Sequence, residues 1–101
     1  MSNSEQNSVE QVSACHILVE SAELAQQLQN ELSQSATMDK FVELAKQHSK
    51  CPSGQNGGNL GLFGRGMMVK PFEDTAFGLS VGQLSAPVQT QFGWHLIVRT
   101  S

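Results

Sequence analysis

At 101 residues and 10.9 kDa, with 39% hydrophobic and 15% charged residues, the chain can bury one modest core and reads as a single domain. A formal charge of -3, with six Lys and Arg scattered along the sequence, argues against nucleic acid or an anionic membrane as partner, since both require a basic patch. No apolar run approaches the ~20 residues of a membrane span, and the start MSNSEQNSVEQVS has neither the basic nor the apolar region of a signal peptide, so a cytoplasmic protein is expected.

Residues 1–13 are rich in Ser, Asn, Gln and Glu and too poor in apolar groups to pack, which predicts a disordered lead and a folded domain over 14–101. The run 14–19 (ACHILV) is short, partly β-branched and bounded by polar residues, as a buried strand would be. Ser21 is placed to cap a helix in which Leu24, Ala25, Leu28 and Leu32 recur at helical spacing, fading near Ser33. Thr37 caps a second, with Asp39 in its first turn and an apolar stripe of Phe41, Val42, Leu44 and Ala45 reaching His48; Pro52 ends the pattern.

The segment 49–77 (SKCPSGQNGGNLGLFGRGMMVKPFEDTAF) then loses all periodicity. It holds a cysteine, a scatter of glycines suited to turns and close passages, and Leu60, Phe63, Met67, Met68 and Phe72 in an order too discontinuous for one helix face. These apolar residues read as a pocket lining, with polarizable Met side chains fit for ligands of varied shape. Phosphate cradling would need a P-loop or dinucleotide spacing, and neither is present. Within the segment 59–63 suits a short strand, and 72–79 a short helix with Pro71 near its start. A turn at Val81, Gly82 and Gln83 leads to two closing strands, 87–91 and 93–100, joined tightly enough for a hairpin. The sum is an α+β domain on a four-stranded, mostly antiparallel sheet.

Both the first and last strands carry a histidine among apolar neighbours. Alternate strand residues share a face, which places His16 with Ala14 and Leu18, and His95 with Gly93 and Ile97; if the strands are neighbours, both rings enter one cavity. Taken singly, either could be a neutral core residue hydrogen-bonded nearby. Cys15 falls on the opposite face and reads as a small core hydrophobe. Cys51 has more functional promise, yet no oxyanion hole or acyl pocket marks a thiol nucleophile, no CxxC marks a redox pair, and no close ligand pair marks a metal. Both thiols are expected free in a reducing compartment.

Three separated motifs, HILV at 16–19, the run from Cys51 through GGNLGLFGRGMM to KPFEDTAF, and FGWHLIV at 92–98, resemble a parvulin-type peptidyl-prolyl cis/trans isomerase of the small stand-alone bacterial kind. The resemblance covers nearly everything after Ser13. It implies the parvulin or FKBP-like arrangement, with the sheet surrounded by about four helices and a proline pocket on one side. By position it makes His16, Cys51, His95 and Thr90 the catalytic set, Leu60, Met68 and Phe72 the walls of the proline pocket, and Phe92 a cover for its rim. It implies proline-containing polypeptides as substrates, a monomer, and no cofactor or metal. The phosphate-directed branch of the family has basic residues after the first strand; here Glu20 and Glu23 occupy that place, so unmodified or apolar residues before proline are expected. Asn59, where the family often has an acidic residue, and Trp94 before His95 are departures. A non-enzymatic alternative is a module that binds proline-containing segments as a chaperone with weak turnover.

Overall fold

The two runs ACHILV and GWHLIV, from opposite ends of the chain, lie side by side. In the computed structural model, which describes residues 11–34 and 37–101, strand β1 (Gln11–Val19) pairs antiparallel with a strand at Gly93–Arg99, setting His16 opposite Ile97 and Leu18 opposite His95. A strand at Asn59–Gly64 (β2) flanks β1, and Val88–Thr90 (β3) flanks the last strand, β4, giving the all-antiparallel order β2-β1-β4-β3. Gln91 and Phe92 alone join β3 to β4, so the expected hairpin is present.

Helices α1 (Ala22–Gln34) and α2 (Met38–His48) cover one face of this sheet. Their starts are where the cap residues put them: Leu24 N–H donates to Ser21 Oγ at 3.1 Å and Lys40 N–H to Thr37 Oγ1 at 3.2 Å. Ala25, Leu28, Leu32, Phe41, Leu44 and Ala45 pack onto Cys15, Ile17, Val19, Leu96 and Val98, with Trp94 against their edge. Helix α3 (Lys70–Gly78) covers the other face, where Phe72, Ala76 and Leu79 meet Val12, Ala14, Phe63 and Ile97. The strand alternation of β1 thus separates Cys15 from His16, as expected, and burial pushes the Cys15 thiol pKa up.

Two expectations need correction. Three α-helices are described rather than about four, because the segment after α2 makes only a 3-10 turn, Pro52–Asn56, whose proline and flanking glycines cannot sustain an α-helix. Strand β1 begins at Gln11 rather than Ala14: Gln11 pairs with Gly64, and Val12, 1% exposed, packs inward opposite Phe63. The polar residues Gln11 and Ser13 alternate with buried ones and disguise the strand. The rest of the expected lead, residues 1–10, lies outside the described residues.

Two glycines shape the approach to the His16 side of the sheet. Between the pairs Ser13–Leu62 and Cys15–Asn59, β2 carries one residue more than β1, a bulge at which Gly61 takes φ 73°. The extra residue allows both Leu60 and Phe63 to face α3. Next to it, the Gly58 carbonyl accepts His16 N–H at 2.9 Å, with φ 83°, and a β-carbon there would sit 2.2 Å from the His16 carbonyl oxygen. Gly61 has open space around it. In urea denaturation, Gly58→Ala is therefore expected to cost about 3 kcal/mol and Gly61→Ala about 1 kcal/mol, the first combining overlap with backbone strain and the second strain alone. Equal losses would mean that the close approach to His16 contributes nothing.

Candidate active site

His16 and His95 rise from neighbouring central strands one pleat apart, and their buried rings stack with centroids 5.1 Å apart and Nδ1 atoms 3.0 Å apart. Phe72 presents its ring to both, 5.4 Å from His16 and 5.2 Å from His95, nearly perpendicular to each. Beyond the pair, His16 Nε2 lies 3.2 Å from Ser53 Oγ, and the Ser53 hydroxyl donates to Cys51 Sγ at 3.2 Å. On the other side His95 Nε2 lies 2.7 Å from Thr90 Oγ1, which also accepts Phe92 N–H at 3.1 Å. A line of hydrogen bonds therefore runs from Cys51 through Ser53, His16, His95 and Thr90 to the backbone of Phe92.

Proton counting constrains this line. A hydroxyl has one proton and a neutral imidazole one N–H. With the Ser53 proton directed at Cys51, Ser53 Oγ accepts from His16 Nε2–H; His16 Nδ1 then accepts from His95 Nδ1–H, and His95 Nε2 accepts the Thr90 hydroxyl. In this arrangement one proton lies between the two Nδ1 atoms and each imidazole carries a single N–H, so the pair is neutral. Its environment agrees: burial, aided by the neighbouring His95, pushes the His16 pKa down to about 4, and burial also lowers that of His95.

Above the imidazoles opens a cavity of about 470 Å³. Leu60 of β2, Met67, Met68 and Val69 of the following loop, and Phe72 of α3 supply apolar wall. Lys50, Cys51 and Pro52 enter from the segment after α2, Leu18 from β1 and Phe92 from the hairpin turn. A smaller hollow of about 120 Å³ on the opposite face, bordered by Leu32, Phe41, Leu84 and Val98, has no titratable side chain in its lining.

The structure brings His16, Cys51, Leu60, Met68, Phe72, Phe92 and His95 together around the larger cavity, and Thr90 joins through its bond to His95. Phe63, read with the lining, instead turns into the core, 1% exposed and edge-on to Phe77. Ser53 was not anticipated, although it stands two residues beyond Cys51 and is the only short hydroxyl in that turn. Its presence also bears on Cys51: the thiol is bonded to Ser53 rather than to an imidazole, whereas a thiol nucleophile needs an adjacent base.

Residues 16–101 match the model of the PPIC-type PPIase domain, or rotamase. The chain belongs to this family. Among relatives of this PPIase domain, the foldase protein PrsA of Geobacillus sp. (strain WCH70) is 47% identical over 87 residues, 85% of this chain and 30% of the foldase. The chain thus spans less than a third of that relative. A SurA-like chaperone structure from Campylobacter jejuni, described with the virulence factor PEB4 and the periplasmic protein Cj1289, superposes with a TM-score of 0.88 at 40% identity, covering 96% of this chain and 41% of that one. NmPin, the parvulin of Nitrosopumilus maritimus, superposes at 0.78 with 41% identity, covering 90% of this chain and 96% of its own. No helix among the described residues of this PPIase domain is long and apolar enough to cross a membrane.

The neutral pair sets a pH dependence. Unfolded His16 titrates near its ordinary value of 6.5 and folded His16 near 4, so between these the unfolded state binds more protons. Stability is therefore full above pH 6.5 and falls as the pH drops through the window toward 4; His95, also lowered, adds in the same sense. The urea midpoint measured against pH should decline on acidification from pH 6.5. A midpoint that rises instead would contradict a neutral pair.

Proposed function

We propose that this chain catalyses cis/trans rotation about X–Pro bonds in unfolded or flexible polypeptides, and so assists folding, by a non-covalent mechanism without cofactor or metal. The observation that carries the reading is an apolar wall of Leu60, Met68 and Phe72 standing over a neutral imidazole pair and a thiol, in a cavity of about 470 Å³. Rotation about the bond must overcome ~18–20 kcal/mol because it breaks amide resonance. Nothing need be added to or removed from the substrate. A site accelerates the step if it binds the half-rotated amide better than either planar form. The apolar wall grips the pyrrolidine ring, and the twisted amide, less polar than the planar one, is favoured where water is excluded. Cys51, with its Ser53 hydrogen bond, supplies the electrostatic surroundings of the substrate carbonyl, while His16, His95 and Thr90 hold the cavity in one arrangement. Phe92, 62% exposed beside the opening, covers the rim.

Residues before proline are taken unphosphorylated. Lys50 is the one basic side chain in the cavity lining, and its Nζ lies 3.9 Å from Glu20 Oε2. A phosphate calls for several charge-assisted donors, preferably arginines. We read the protein as a monomer in the cytoplasm, where Cys15 and Cys51, both free, stay reduced. Its relatives do not share one setting, since a periplasmic protein is named with the Campylobacter chaperone.

Exchange NMR on the peptide Ala-Leu-Pro-Phe tests the activity: line broadening of the cis and trans signals by catalytic amounts of protein is expected. Binding without acceleration would instead support a peptide-holding module. Cys51→Ala should lower kcat/KM about ten-fold, a loss of about 1.4 kcal/mol at the transition state, with Tm nearly unchanged because the thiol is only half-buried. His16→Ala should lower both, because it leaves buried His95 Nδ1 without its partner and takes from Ser53 Oγ one of its two. Equal effects of the two substitutions on Tm would refute this division of roles.

A further inference from the structure

Phe72 and Glu73 are adjacent on α3 and face different neighbours. Phe72 meets the imidazoles. Glu73 is 6% exposed, and a carboxylate is rarely buried unless both oxygens are met. Here both are met from a single loop: Gly66 N–H donates to Glu73 Oε1 at 2.7 Å, and Arg65 Nη1 donates to Oε2 at 3.2 Å while its guanidinium lies 4.3 Å over the Phe77 ring. The loop held in this way, residues 65–69, delivers Met67, Met68 and Val69 to the cavity.

Other support for the loop comes from Met68 and Val69, which pack against the core cluster around Phe72. Gly66 takes φ 88°, and Met67, 67% exposed, has its sulfur fixed by a bond from Gly64 N–H at 3.3 Å. Released from α3, such a segment would have to be ordered by each arriving substrate, which weakens binding.

We infer that Glu73 is a positioning residue for the proline pocket: it touches no substrate but clamps the Met67–Val69 wall at a set distance from Phe72, so that the gap for the pyrrolidine ring exists before the ring arrives. This rests on the isomerase reading and adds a residue to it. The Gly66 bond is the decisive half of the clamp, because it acts on the backbone of the wall itself, whereas Arg65 is half exposed and reaches the carboxylate from solvent.

The test measures kcat and KM separately by exchange NMR on Ala-Leu-Pro-Phe, below the unfolding temperature of every variant, for Glu73→Ala, Glu73→Asp and Glu73→Gln. Glu73→Ala and the shorter Glu73→Asp should raise KM about ten-fold while kcat changes less than about two-fold, the signature of lost uniform binding. Glu73→Gln keeps an oxygen for Gly66 N–H and should stay within about two-fold of the wild-type KM, the reference against which such losses are read. A residue serving stability alone would lower Tm and the active fraction, moving kcat and leaving KM where it was. Unchanged KM in the Asp variant, or a Gln variant as poor as Asp, overturns the proposal; these two carry it should Glu73→Ala fail to fold. If the wild type binds the peptide without accelerating it, the isomerase reading fails instead, and the Kd values of the same variants, expected to follow the same order, still decide the role of Glu73.

Discussion

A single proton between two nitrogen atoms governs the chemistry of this molecule. Because His16 and His95 meet through their Nδ1 atoms at 3.0 Å, the contact is attractive only when one ring donates and the other accepts. Which ring donates is set from outside the pair: with the Ser53 hydroxyl directed at Cys51, His16 donates to Ser53 and accepts from His95, and the Thr90 hydroxyl turns toward His95. The contact itself exists because β1 and β4 pair in the register that sets Leu18 opposite His95. Slipping that register by one residue would turn one imidazole to the α1 and α2 side. The central strand pair is thus both the middle of the core and the frame of the site.

A site of this kind has little to do in covalent terms. Rotation about an imide bond asks for a shaped apolar enclosure and a fixed set of dipoles, and the fold assigns these to different parts of the chain. The sheet holds the dipoles, where neighbouring strands limit their movement. The apolar enclosure comes mainly from β2, the loop after it and α3, elements rich in glycine, methionine and phenylalanine. Core packing on the opposite face, from Phe41 and Leu28 to Ile17 and Leu96, braces the same two strands from behind.

Much of this was legible from residue order. Ser21 and Thr37 announced their helices because a hydroxyl before an apolar stripe has one obvious partner, the open N–H groups of the first turn. The histidines could be placed on one face because strand alternation is a strict rule once the strands are known to be neighbours. Failures came where a partner is distant in sequence. Val12 looked solitary among polar residues until β2 supplied Phe63 opposite it. Phe63 itself, three positions from Leu60, could be assigned to core rather than cavity only after the bulge was seen. Ser53 and Glu73 are hard to single out because small hydroxyls and helix carboxylates are usually solvated, and only the folded geometry shows that these two have fixed partners.

The bulge has a practical corollary for anyone wishing to reshape the enclosure. Leu60 and Phe63 stand three positions apart and share a face only because of the surplus residue at Gly61, so a strand straightened at unchanged length would swing the leucine outward and leave Phe63 in place. Straightening this edge is therefore a blunt tool, which swaps greasy lining for solvent in one step. Tuning which imide rings are accepted has to proceed by exchanging the lining side chains with the bulge intact.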